Sequence, residues 1–243
     1  MQNYKKAFTI IELTIVVGIV ALLLSAVLYS RNLYQNNRIL LIAGEYQKYK
    51  TAFQDFYKIY NALPGDIDNA YDFFGSDCGL DTDISLSGCN GDGDDVIEDS
   101  DEAFMANLHL SLAGLIDGEY TGRSASGNYQ DHFVKSSYEP GYYAPIIASS
   151  INDAEYRGRF DKFHYTVFGA INSNDMPYDP ILTAEQAKRL DNKIDDGVMW
   201  NGVTQIRYYN ASSCNGTEAV LVGNYDLSSS DIICNLLFYI DIN

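Results

Sequence analysis

Residues 8–30, FTIIELTIVVGIVALLLSAVLYS, form an apolar run of 23 residues in which Glu12 is the single charge. As a helix rising 1.5 Å per residue, the run is about 34 Å long, enough to cross the hydrocarbon core of a bilayer. A secretory signal has an apolar stretch of only about 7–15 residues followed by a small-residue cleavage site, so the longer run reads as a membrane anchor. Lys5 and Lys6 precede it and Arg31 follows it. The more basic flank, here the two lysines and the terminal amine, stays on the cytoplasmic side, so the N terminus is expected in the cytoplasm and the remainder across the membrane.

A carboxylate inside such a helix costs about 2.5–3.5 kcal/mol on insertion scales and calls for a named partner. A Glu that snorkels to the interface is the simpler reading of Glu12. The residues around it bear on the choice. Lys5, Lys6, Ala7, Phe8, Thr9, Ile10, Ile11, Glu12 and Leu13 resemble the processing signature of type IV prepilins and type II secretion pseudoprepilins. The resemblance implies that a prepilin peptidase removes residues 1–7 by cutting between Ala7 and Phe8, and that the new amino terminus is methylated. It also implies that Glu12 is needed for assembly, through an inner-membrane platform, into a helical filament of copies of the chain. Ala7 stands where Gly is commonest in that family, and the run lacks the proline that kinks many pilin stems. Cleavage would create an ammonium one helical turn from Glu12, and the ammonium of a neighbouring subunit could neutralise the buried carboxylate.

Past the run, Ile39, Ile42, Tyr46, Tyr49, Phe53, Phe56, Tyr60 and Leu63 recur at alternating spacings of 3 and 4 among polar residues, the seam of an amphipathic helix. Its richness in Tyr and Phe predicts packing on the chain's own domain rather than in a separate coiled coil. Leu63, Pro64, Gly65 and Asp66 are expected to end the helix. One helix over residues 8–63 would reach about 84 Å, with a membrane half at 8–30 and an amphipathic half at 31–63.

Residues 64–243 read as one globular domain. Phe104, Leu108, Leu112 and Leu115 predict a helix behind an acidic cap at 99–102 and ending at Gly118, and Thr183 with Gln186 forms a capping box ahead of Ala187, Leu190 and Ile194. Strands are expected near 164–171, 203–209, 219–225 and 232–242. Strands after a long packed helix predict an α+β head with an antiparallel sheet, which resembles the pilin-like lollipop. The phrases at 62–66, 90–94, 109–118 and 193–197 resemble those of a branch of long pilin-like proteins.

Four cysteines, in an oxidising compartment, favour two local disulfides, Cys78 with Cys89 and Cys214 with Cys234, among three possible connectivities. The most acidic stretch follows the first pair. Asn90, Asp92 and Asp94 have the alternate spacing that opens an EF-hand calcium loop, with Glu98 and Asp101 as later oxygen ligands. Asp95 takes the place of the turn glycine and Asp101 that of the final Glu. The competing reading is a solvated acidic loop leading into a helix whose dipole favours carboxylates at its start. The pseudopilin resemblance also implies calcium, since major pseudopilins commonly carry it.

A net charge of −17, from 16 Lys and Arg against 33 Asp and Glu, argues against general nucleic-acid binding; a DNA-uptake pilus is the exception among the filaments. His109, His132 and His164 are the available histidines, and the chain has no GxSxG, HExxH or phosphate loop, so no enzyme is expected. Asp195 and Asp196 read as a polar helix end rather than a glycosidase pair. Tyr129, Tyr138, Tyr142 and Tyr143, in the aromatic stretch at 120–156, suggest either a sugar or receptor contact or loop packing. The expected product is a pilin or pseudopilin subunit of the bacterial inner membrane, its head periplasmic before assembly into a periplasmic or surface filament. A permanently anchored periplasmic binding protein is the alternative.

Overall fold

The computed structural model describes residues 9–78, 89–97, 101–122, 132–147, 164–172, 176–199, 202, 204–206, 214, 224–240 and 242. Ala7, Phe8, Glu98 and Tyr129 lie outside them, as do most of the strands expected at 203–209 and 219–225. The chain divides into two compact units, Met1–Leu40 and Leu41–Asn243. Helix α1, Ile10–Tyr60, belongs to both.

Over residues 10–30 α1 is apolar apart from Glu12 and a few hydroxyls, and none of the described residues covers it, Leu22 and Leu28 being 73% and 65% exposed. It is one helix long and apolar enough to cross a membrane. Two hydroxyls within the run are satisfied locally, Thr14 Oγ1 donating to the Ile11 carbonyl and Ser25 Oγ to that of Ala21, each at 2.9 Å. Such back-bonding leaves these two hydroxyls independent of water.

The second unit is α+β. It contains the rest of α1, then α2 (Ala70–Phe74), a 3-10 turn (Gly75–Cys78), α3 (Asp101–Leu112), β1 (Val134–Lys135), β2 (Gly141–Ile147), β3 (His164–Ala170), α4 (Ala184–Ile194), β4 (Thr204–Ile206) and β5 (Leu236–Ile240). The five strands form an antiparallel sheet in the order β1-β2-β3-β5-β4. Register places Tyr143 opposite Phe168 and Thr166 opposite Phe238.

The aromatic seam packs as its spacing predicts. Tyr46 stacks on Phe238 with ring centroids 4.8 Å apart, and its hydroxyl donates to the Tyr239 carbonyl at 2.6 Å. Tyr143 packs on Phe168 at 4.8 Å and donates to the Ile42 carbonyl at 3.3 Å. Further along, Phe56 stacks on His109 of α3 at 6.3 Å. Tyr49 donates at 2.6 Å to Asn107 Oδ1, whose amide donates at 2.7 Å to the His132 carbonyl, so the buried Tyr49 hydroxyl and Asn107 amide are paired. Disulfides join Cys78 to Cys89 and Cys214 to Cys234, the pairing expected from sequence order.

Three local expectations differ from the structure. Helix α1 stops at Tyr60, where Asn61 takes the left-handed conformation at φ 54°, ahead of the Pro64–Gly65 turn. Helix α3 stops at Leu112 because Gly114 adopts φ 70° and closes a Schellman motif, its amide donating to Ser111 and the Leu115 amide to Leu110. Strands β1 and β2 occupy a stretch read from sequence as loop. Pro145, which obscures β2, lies beyond the two-residue pairing with β1, where a missing amide costs no ladder bond.

Candidate functional site

At the N-terminal end of α1, Thr9 is the cap. Its amide and Oγ1 each donate to Glu12 Oε2 at 2.9 Å, and the Glu12 amide donates to Thr9 Oγ1 at 3.3 Å. This is a reciprocal capping box, satisfying two amides that a helix start leaves open. The pattern Thr9-Ile-Ile-Glu12 could have been read from the sequence, where attention to membrane cost obscured it. Within one chain, then, Glu12 has a local partner and its carboxylate remains exposed.

A second cluster forms where α1 gives way to the acidic loop. Asp66 is buried, and the loop wraps its carboxylate. Oδ1 accepts from the amides of Gly93 and Asp94 at 2.8 and 3.0 Å, and Oδ2 from that of Asp95 at 3.0 Å. Gly93 and Asp95 have positive φ, which turns successive amides toward one anion. Gly91 passes so close that a Cβ there would lie 2.3 Å from Asp66 Cα, so a side chain at this position is sterically excluded. Burial pushes the Asp66 carboxyl up to about 6, with the amides of residues 94, 93 and 95 pulling it back.

The expected cation ligands are distributed differently from an EF-hand loop. Asn90 Oδ1 accepts from the Tyr71 amide at 3.0 Å. Asp92 and Asp94 are exposed, and the Asp92 amide donates to Glu102 Oε1 at 3.1 Å. Asp101 opens α3. The carboxylates that converge are Asp92, Asp66 and Glu102, their oxygens within 4.8 Å of one another. Asp66 and Glu102 were missed as partners because they come from separate sequence phrases, and no periodicity links positions so far apart.

The same junction is held by His109. Its Nδ1 accepts from the Gly65 amide at 2.8 Å and its Nε2 donates to the Cys89 carbonyl at 3.0 Å. Two such bonds fix a neutral ring, and burial pushes the imidazole down to about 4 against the pull of the Cys89 carbonyl. A ring spanning the post-α1 turn, the first disulfide and α3 has a structural part. Tyr138, Tyr142 and Tyr143 are also buried, so these rings pack the core rather than present a recognition surface.

At the end of α4, Asp191 is buried and its Oδ2 accepts from the Tyr225 hydroxyl at 2.8 Å. Carboxylate oxygens of Asp191, Asp195 and Asp196 lie within 4.8 Å of one another at this polar helix end. Comparison of the chain with protein-family models, curated proteins and solved structures gave no match.

Proposed function

We propose that the chain is a structural subunit of a filament of the type IV pilus or type II secretion kind. It is made as an inner-membrane precursor, cleaved between Ala7 and Phe8 by a prepilin peptidase, and polymerised through α1 by an inner-membrane platform, its leader cytoplasmic and its lollipop head periplasmic. The observation that carries this reading is a single helix with two different surfaces. Over its first half α1 is apolar and uncovered, and over its second half the Tyr and Phe seam is buried in an α+β unit with an antiparallel sheet. An uncovered apolar helix is stable in lipid or against copies of itself, and a filament core offers both environments in succession. In this reading the role is structural rather than enzymatic. Asp92 of the acidic loop and Glu102 of α3 would supply oxygen ligands for calcium, with Asn90, Asp94, Glu98 and Asp101 the further candidates.

Glu12 tests the assembly step. Gln retains the capping box, since either side chain serves at the third helical position, but it cannot neutralise an ammonium. Breaking a buried ion pair costs about 3–5 kcal/mol, which lowers subunit addition roughly a hundredfold or more. Glu12→Gln should therefore leave membrane insertion and cleavage intact while sharply reducing sheared filaments relative to total membrane protein. Equal filament yields from the two proteins would overturn the pairing, and monomers from both would favour a permanently anchored binding protein.

A further inference from the structure

We propose that Asp191, Asp195 and Asp196, at the C-terminal end of α4, bind a hard divalent cation of the calcium class. This site is separate from the acidic loop at 90–101. Three observations converge on it.

The first is geometric: carboxylate oxygens from the three residues lie within 4.8 Å of one another, within reach of one cation held at about 2.3–2.6 Å per oxygen. The second is an orphan. Asp191 is 0% exposed; the Tyr225 hydroxyl donates to Oδ2, whereas Oδ1 is buried and has no hydrogen-bond partner. The Gly197 amide also faces this carboxylate, but among the described residues Oδ1 itself lacks a bonded donor, and native structures pair such buried oxygens with a donor, a water or a metal. The third is the location. The C-terminal end of a helix carries partial negative charge from its open carbonyls, so it disfavours acidic side chains and favours a cation.

The backbone shapes the pocket around these groups. Gly202 runs so close to Asp195 that a Cβ there would lie 1.7 Å from Asp195 Oδ2, with φ at +76°. Asp196 Oδ1 accepts from the Val198 amide at 2.8 Å, which fixes the turn after α4. Ligands that are all oxygen exclude the softer metals, and a loop of mixed geometry suits calcium better than magnesium, which demands a near-ideal octahedron.

The test uses the full-length protein in detergent, stripped with a chelator and titrated with calcium alone. Bound ions per chain are read by equilibrium dialysis, and melting temperature with and without calcium. One ion is expected that survives Asp92→Asn with Asp94→Asn but weakens roughly tenfold or more in Asp195→Asn with Asp196→Asn, since affinity follows ligand charge count. Asp191→Asn separates the cation from a merely buried acid. With a cation, the variant loses the calcium-dependent rise in melting temperature. Without one, removing a buried charge raises the melting temperature and leaves calcium binding unchanged, which would overturn the proposal. Should Asp191→Asn fail to fold, the double variant decides: ion binding equal to wild type, or no ion beyond those lost with Asp92 and Asp94, rejects the site.

Discussion

His109 joins three stretches of chain through two ring nitrogens, and its neutrality makes it a source of acid sensitivity. Unfolded, the imidazole titrates near 6.5; folded, near 4. Between these values the unfolded chain holds the extra proton, so stability is lost as pH falls from about 6.5 to about 4, by up to about 3 kcal/mol. Asp66 and Asp191 act in the opposite sense. Burial raises each to about 6, so over the range from about 6 to about 4 the folded chain holds their protons and gains stability as pH falls. Substituting His109 with Gln removes one of these contributions alone. The melting-temperature gap between wild type and His109→Gln should be largest at pH 7 and shrink toward pH 4, and a gap independent of pH would contradict the burial argument. His109 illustrates the limits of sequence at this scale: neither Gly65 nor Cys89 could be named as its partner without the fold.

Elements with their own periodicity or cap were legible in the sequence. The seam that begins on α1 repeats at alternating 3 and 4, and seven of its eight members, Ile39, Ile42, Tyr46, Tyr49, Phe53, Phe56 and Leu63, are buried. Thr183 and Gln186 close the box at the start of α4 that their spacing predicts. Strand β2 was not legible, because Gly141, Tyr142, Tyr143 and Pro145 carry turn and aromatic signals that only pairing with β3 resolves. The acidic loop was half legible: its carboxylates were evident, but Asp66, around which it folds, lies beyond any local pattern. Substitution at Tyr46 tests the packing of α1 on the sheet. Tyr46→Phe loses one hydrogen bond to Tyr239 and should cost about 1 kcal/mol. Tyr46→Ala also vacates a fully buried ring site and should cost about 3–5 kcal/mol. Gln47→Ala, at an exposed position of the same helix, should stay within about 0.5 kcal/mol of wild type in chemical denaturation. Equal costs for the two Tyr46 variants would show that its ring contributes no packing there.

At the scale of the molecule, one chain combines an uncovered apolar helix with an acidic, disulfide-linked α+β unit. The apolar helix is long enough to cross a membrane, and the disulfides fit an oxidising compartment. Both features suit a precursor that crosses the inner membrane once. Processing is the step on which the filament account depends, because the ammonium proposed to pair with Glu12 does not exist until residues 1–7 are removed. Their removal takes away Lys5 and Lys6, moving the formal charge from −17 to −19, so the mature form should also focus at a slightly more acidic pH. Intact-mass analysis of the protein extracted from membranes of cells with an active prepilin peptidase reads this step directly. The account predicts a chain that begins at Phe8 and carries one added methyl group; a chain that still begins at Met1 would contradict it.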